Sequence, residues 1–244
     1  MKLLLITGGS RGLGQALCEQ FEAKGYKILE FSRSAPYEYS IRTDLSNPET
    51  SRLAVANVIK SVDTDQLQEL IVISNAGMLE PIGPTASKLH ADVVRNMNTN
   101  FVSAVLVLTE IIARFQTAAC RKVIVNISSG AALKGRAGWS LYCAAKAGME
   151  NFIRSLALEQ QTQPQPFIPF NIDPGVIDTE MQALIRATSP SDFPDVETFI
   201  QRKEQGSLVS PDQVAAAIIR ILEQPSLSSG ERYRTSEYSG YIWI

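Results

Sequence analysis

In the stretch GWSLYCAAKAG, Gly138 to Gly148, a tyrosine and a lysine stand four positions apart: Tyr142 and Lys146, with Ala144 and Ala145 between them. Residues i and i+4 are neighbours on a helix. A free phenol has a pKa of about 10 and relays protons poorly at neutral pH. A lysine charge about 5 Å away, at an effective dielectric of about 20, favours phenolate by about 3 kcal/mol, roughly two pKa units. Such a pair could pass a proton to an oxygen that gains charge, and the small residues between them would let a ligand approach. An isolated Tyr-x-x-x-Lys is more often a solvated surface pair, so other residues must support the reading. In VIVNISSGA, Ser128 and Ser129 follow an apolar run that ends at Ile127. A reacting carbonyl needs a second hydrogen-bond donor beside the phenol, and either serine could supply it. Phenol and serine polarise a carbonyl without a metal, and no metal site is expected.

A glycine-rich turn supplies a second kind of chemistry. In LLLITGGSRGLGQAL, Gly8, Gly12 and Gly14 come directly after an apolar run and open a helical pattern. Glycines allow a tight turn and let backbone N–H groups approach a phosphate, and the helix N-terminus adds partial positive charge. A glycine cluster alone is weak evidence. The strand–turn–helix context makes it a dinucleotide site.

The elements that must position these groups are visible as alternation. Short β-rich runs at Lys2–Thr7, Lys27–Ser32, Tyr39–Thr43, Leu70–Ser74, Lys122–Ile127, Phe167–Ile172 and Glu231–Thr235 read as strands. Helical patterns cover Gly12–Lys24, Asn47–Val62, Ala91–Phe115 and Leu141–Gln160. The alternation predicts an α/β fold with a parallel sheet covered by helices on both faces. Only Arg33 to Glu38 separate the second and third runs, too few for the usual crossover helix. Either that helix is missing or a strand boundary is misplaced. Residues 178–210 form an insertion of the kind that often serves as a lid or substrate loop.

Composition narrows the classes. The 244 residues are 45% hydrophobic with a net charge of -2, enough for one large core and without the basic block that a nucleic-acid or anionic-membrane partner would require. The opening MKLLLITGGS reads as a buried strand rather than a signal segment, because glycines follow the apolar run at once. No stretch reaches the roughly 18–20 apolar residues of a membrane span. Cys18, Cys120 and Cys143 are odd in number and lack metal-type spacing, which suits the cytoplasm. His90 is the only histidine, so histidine-based triads and multi-histidine metal sites are excluded.

Four motifs in order, TGGSRGLG, SNAG at Ser74–Gly77, the Tyr142–Lys146 pair and DPGVIDT at Asp173–Thr179, together make the chain resemble the short-chain dehydrogenase/reductase family over nearly its whole length. The resemblance implies a single doubly wound (Rossmann) domain over 1–244, with a seven-stranded parallel sheet and the nucleotide across its carboxyl edge. It places the catalytic serine thirteen positions before the tyrosine, at Ser129, with Ser128 as the alternative. It implies that Lys146 also holds the nicotinamide ribose. It makes Asn100 the helix asparagine that links Lys146 to solvent, with Asn96 and Asn98 nearby. Gly8, Ser10, Arg11, Gly12, Leu13 and Gly14 would form the phosphate turn. Asp44 and Leu45 would border the adenine, Asn75, Ala76 and Gly77 the adenosine side, and Pro174, Gly175, Val176 and Thr179 the nicotinamide.

An acid normally ends the second strand where NAD is preferred. Here Ser32 occupies that place, Arg33 follows, and Arg11 lies in the glycine turn. Arginines suit a 2′-phosphate, so the expected cofactor is NADP (NADPH). Glu30 stands two residues too early to serve as the acid.

Within the family, NISSGAALKGRAGWSLYCAAKAG and DPGVIDTEMQ look like the sepiapterin reductase and benzil (diketone) reductase branch. That implies reduction of a ketone or vicinal diketone, a small-molecule carbonyl substrate. The aspartate with which sepiapterin reductases grip the pterin falls on Arg234 here, with Glu237 near, which disfavours a pterin. Trp139, Met181, Leu184 and Phe193 suggest either an aromatic-friendly pocket or ordinary core contacts. The family association implies a homodimer or homotetramer through the two long helices. The competing readings are an NAD-dependent alcohol dehydrogenase of the same family and a non-catalytic NADP-sensing module.

Overall fold

Runs of leucine and β-branched residues bounded by turn residues are too short for helices and form strands. The computed structural model describes residues 1–239; residues 240–244 of the expected 1–244 domain lie outside them. The strands are β1 (Lys2–Thr7), β2 (Lys27–Ser32), β3 (Ser40–Arg42), β4 (Glu69–Ser74), β5 (Arg121–Ile127), β6 (Ile168–Asp173) and β7 (Arg232–Arg234). They make one seven-stranded sheet in the order β3-β2-β1-β4-β5-β6-β7, parallel throughout. The helices are α1 (Gly12–Ala23), α2 (Pro48–Ile59), α3 (His90–Met97), α4 (Ser103–Phe115), α5 (Ser140–Gln160), α6 (Glu180–Arg186), α7 (Val196–Glu204) and α8 (Pro211–Leu222).

Strand alternation sorts the core into two layers. Leu4, Ile6, Ile71, Ile73, Val123 and Val125 pack with α1 and α8. Leu3, Leu5, Leu70, Val72 and Ile124 pack with α2, α4 and α5. Both faces of the sheet are covered, as a parallel sheet requires. Ser210 and Gln213 form a capping box that starts α8, with Pro211 in its first turn. The strand order reverses between β1 and β4, so the loops that leave their carboxyl ends diverge and open a crevice.

Two departures from the sequence reading matter for the site. The helix expected over Ala91–Phe115 is not continuous: α3 and α4 are joined by a π-helical segment, Asn98–Val102. A slip in hydrogen-bond register leaves the apolar period intact, so the pattern of residues does not reveal it. Between β2 and β3 the crossover helix is indeed missing. β3 pairs only with the last three residues of β2, from Glu30↔Ser40 to Ser32↔Arg42, so the chain need return only a short distance. It does so through Ala35 at φ 42 and a stacked pair, Tyr37 and Tyr39, with centroids 5.0 Å apart. Tyr39 packs against the core layer beneath α1.

Candidate active site

The turn after β5 and the first turns of α5 bring together the groups singled out for chemistry. Tyr142 and Lys146 are both buried on α5, and the lysine Nζ lies 5.7 Å from the centre of the phenol ring. Lys146 Nζ donates to the carbonyl of Ile127, 2.6 Å away, at the end of β5. Ser129 is half-buried and its Oγ accepts from the Ala131 N–H at 3.1 Å. A hydrogen bond from Ser129 to the Tyr142 side chain favours the phenolate, but burial outweighs it and pushes the phenol up to about 12. The phenol pKa thus moves opposite to the sequence expectation. Lys146 is buried as well, which brings its ammonium down to about 8. A desolvated phenolate costs more than this amine recovers. Ser128 turns away: its Oγ donates to Glu150 and its N–H to Ile172 O.

Asn100 lies within the π segment and brackets Met78. Its Oδ1 accepts from Met78 N and its Nδ2 donates to Met78 O, both at 2.8 Å. Asn96 is fully buried and joins it, accepting from Asn100 Nδ2 at 3.0 Å and donating to Glu80 O at 2.7 Å. Asn98 instead donates to Ser46 O. A Cβ at Gly77 would sit 3.5 Å from Asn100 Oδ1 and 3.8 Å from Lys146 Nζ, so the loop after β4 passes directly over this asparagine–lysine pair.

The glycine turn faces the same edge. Asn75 Nδ2 donates to Thr7 O and Gly8 O, tying β4 to the turn. Gly14 admits no side chain, because a Cβ there would meet Gly8 O at 2.1 Å. Gly12 lies against Thr179, whose methyl would be 3.3 Å from an added Cβ. No side chain caps the first turn of α1, so its N–H groups are left for an anion, and the turn fits a dinucleotide pyrophosphate. Ser10 is half-buried beside it, and Leu13 belongs to the core, so only its backbone can serve.

Where the sequence reading expects the ribose, the side chains divide. Ser32 is buried, donating to Glu30 Oε2 at 3.1 Å and accepting from Ala35 N at 3.2 Å. Glu30 is buried too and accepts from Gly9 N at 2.8 Å, bracing the turn from below. Arg33 is exposed and lies near enough to Asp44 to favour its carboxylate, which the Ser46 N–H holds below the usual range. Arg11, the other expected guanidinium, is bonded to Glu180 at the start of α6. Leu45 packs in the core, Ala76 is half-buried and Gly77 exposed. After β6, Pro174 is buried, Val176 and Thr179 are half-buried and Gly175 is exposed, its N–H donating to Asp173 Oδ1 at 3.1 Å.

Residues 178–210 carry α6 and α7 and form a third apolar cluster over this edge. Trp139 stacks on Phe193 with centroids 4.5 Å apart and planes 4° apart, and meets Tyr142 edge-on at 6.1 Å. Phe193 is fully buried and Trp139 nearly so. Of the two readings of these aromatics, core contact is the one that holds: they anchor the insertion. Met181 and Leu184 are half-buried, and Met181 packs on the same cluster.

The sequence reading missed a charged network behind the serine. Arg232 bonds Glu150, Asp173 and the Ser129 carbonyl. Its one legible sign is that Glu150 continues the Tyr142–Lys146 spacing by another four residues. Two hollows of about 520 Å³ lie elsewhere. In one, lined by Lys2, Tyr26, Glu69 and Arg121 among others, Glu69 is already bonded to Arg121 and Tyr26. The carboxyl-edge crevice, where open α/β sheets bind ligands, is the better candidate. Among the described residues no cluster of metal-ligating side chains and no membrane-spanning helix is found.

Comparison with known proteins agrees with this geometry. The sequence model of the short chain dehydrogenase family matches residues 2–190. The chain is 36% identical over 243 residues to the benzil reductase ((S)-benzoin forming) of Bacillus subtilis, covering 98% of this chain and all of that one. It is 28% identical to the sepiapterin reductase of Rattus norvegicus, over 93% of each chain. The crystal structure of the KRED1-Pglu enzyme superposes with a TM-score of 0.81 at 27% identity, over 95% of this chain and 100% of that one. With a doubly wound sheet, a glycine turn at its switch point and a Ser–Tyr–Lys cluster at its carboxyl edge, the protein belongs to the short chain dehydrogenase family, oxidoreductases that use a nicotinamide cofactor on carbonyl and alcohol groups.

Proposed function

We propose that the protein is an NADPH-dependent carbonyl reductase acting on a ketone or vicinal diketone, with Tyr142 as proton donor. The observation that carries this reading is a buried phenol, bonded by Ser129 and flanked by Lys146, whose proton is retained at neutral pH. A protonated phenol suits reduction, in which the substrate oxygen must receive a proton. The similarity to benzil reductase along the full chain supports the diketone class.

NADPH, when bound, supplies the hydride. Gly8, Ser10, Arg11, Gly12, Leu13 and Gly14 hold the pyrophosphate, mostly through backbone N–H groups. Arg33, beside Ser32, takes the 2′-phosphate. Asp44, Leu45, Asn75, Ala76 and Gly77 border the adenosine. Pro174, Gly175, Val176 and Thr179 border the nicotinamide. Tyr142 gives its proton to the oxygen that gains charge, and Ser129 donates a hydrogen bond to the same oxygen. Lys146 stabilises the phenolate left behind and donates to the ribose hydroxyls. Asn100 fixes the Met78 backbone over the lysine. Residues 178–210 close over the substrate and keep water out. The unit acts as one domain, as a homodimer in the cytoplasm.

The test is NADPH consumption with a panel that includes benzil, isatin and a pterin, repeated with NADH. Benzil and isatin should be reduced, with NADPH preferred. Tyr142→Phe should lose about a hundred- to ten-thousand-fold in kcat while binding NADPH as the wild type does. Absence of turnover across the panel, or a Tyr142→Phe variant that keeps most activity, would overturn the reading.

A further inference from the structure

Behind the serine and the phenol, β7 sends one guanidinium into the joint between three elements. Arg232 Nη1 donates to Glu150 Oε1 on α5. Its Nη2 donates to Asp173 Oδ2 at the end of β6, at 2.7 Å, and to the carbonyl of Ser129 after β5, at 3.3 Å. We propose that Arg232 is a positioning residue for carbonyl reduction, holding the Ser129 turn and the Asp173–Gly175 turn in register with the helix that carries Tyr142 and Lys146. This rests on the reductase reading above.

Each bond of the fork fixes a different part of the site. Glu150 lies one helical turn beyond Lys146 and two beyond Tyr142, on the same stripe of α5. Its carboxylate is almost wholly buried and also accepts from Arg154 and Ser128, so it is a fixed point. Asp173 receives Arg232 on one oxygen and the Gly175 N–H on the other. Its orientation therefore sets the turn expected to border the nicotinamide. Ser129 is held from two sides, its carbonyl by Arg232 and its Oγ by Ala131 N. The hydroxyl bonded to Tyr142 thus has little freedom to swing. The fork reaches these acceptors from two separate nitrogens, Nη1 and Nη2; an ammonium in its place would offer its donors from a single point. The other charged groups nearby are Arg234, which acts on both Asp173 and Arg232, and Arg154, bonded through Glu150.

The test uses the full-length protein, NADPH and the carbonyl that the wild type reduces best. Arg232→Lys keeps the charge and loses the fork. Asp173→Asn, nearly isosteric, carries the test if the first variant does not fold. For each, kcat is expressed per NADPH-binding site by titration, alongside KM, NADPH affinity and the solvent deuterium isotope effect on kcat. Misplacing reacting groups by about 1 Å can cost about a hundredfold. Each variant is therefore expected to lose about ten- to a hundredfold in kcat, with NADPH affinity within about threefold and a larger isotope effect, because proton transfer from Tyr142 has become slower. The double variant should lose no more than the worse single one, since both cut the same link. Unchanged kcat and isotope effect per binding site, with only thermal stability lowered, would reduce Arg232 to a structural ion pair and overturn the proposal. If the wild type consumes NADPH with no carbonyl, the reductase reading fails first and the positioning role with it.

Discussion

At the scale of single residues, the Tyr142–Lys146 pair shows why spacing foretells contact better than charge state. The four-residue interval did place the lysine against the phenol ring. The expected fall in phenol pKa assumed a half-solvated pair at an effective dielectric of about 20. Both groups are in fact buried, and desolvation drives each toward its neutral form. That burial is a property of the folded chain, set by Trp139, Ala131 and the insertion above, and no window around residue 142 contains it. A stability signature follows. Lys146 titrates at about 8 when folded and at its ordinary 10.5 when unfolded. Between those values the unfolded chain binds more protons, so stability rises with pH. Below about pH 8 the ammonium is carried into the interior and costs about 3 kcal/mol. Compared with Lys146→Met by urea unfolding, the wild type should gain about 3 kcal/mol of relative stability between about pH 7.5 and pH 10.5. A difference that stays flat across that interval would mean the amine is not desolvated.

At the scale of elements, the insertion is seated by close backbone approach as much as by apolar contact. Gly138 has φ 81, and a Cβ there would meet the carbonyl oxygen of Asp192 at 2.2 Å. Phe193, the next residue, stacks on Trp139, which follows Gly138, and Arg136 bonds Asp195. Gly138→Ala would combine left-handed backbone strain of about 1–2 kcal/mol with a clash that only movement of the 189–195 loop can relieve. The variant should unfold earlier, exchange amide hydrogens faster across 189–205, and show a raised KM for the carbonyl. Unaltered exchange in that segment would mean the loop is held by other means. Element boundaries from the sequence mostly fell within one or two residues of those observed, because glycines and polar clusters punctuate the strands. The π segment at Asn98–Val102 escaped, since Asn96 and Asn100 share one helical spacing whether or not the hydrogen-bond register slips between them. The short β2–β3 link was legible from chain length alone, but the tyrosine stack that replaces the helix was not.

At the scale of the whole molecule, the work is divided between the two ends of the sheet. The proposed chemistry lies at the carboxyl edge, and Phe115, which ends α4 ahead of β5, lies toward the other. Phe115, fully buried at the end of α4, belongs to the layer packed with α2, α4 and α5. Phe115→Ala should cost about 3–5 kcal/mol, read from the urea midpoint, while kcat per folded molecule stays at the wild-type value; a selective loss of kcat would show that core and site are not separable. The fold was legible because motif order and strand–helix alternation span the chain. The Arg232–Glu150–Asp173 network was not, since it joins residues 82 and 59 positions apart, and only the assembled sheet brings them together. The Trp139–Phe193 stack has one more consequence. An indole sealed between aromatic rings emits in the blue, and it reddens once water reaches it. With the sequence's other tryptophan changed, Trp243→Phe, the remaining fluorophore would become a dye-free gauge of whether the insertion is seated, readable in a cuvette on the timescale of a single turnover.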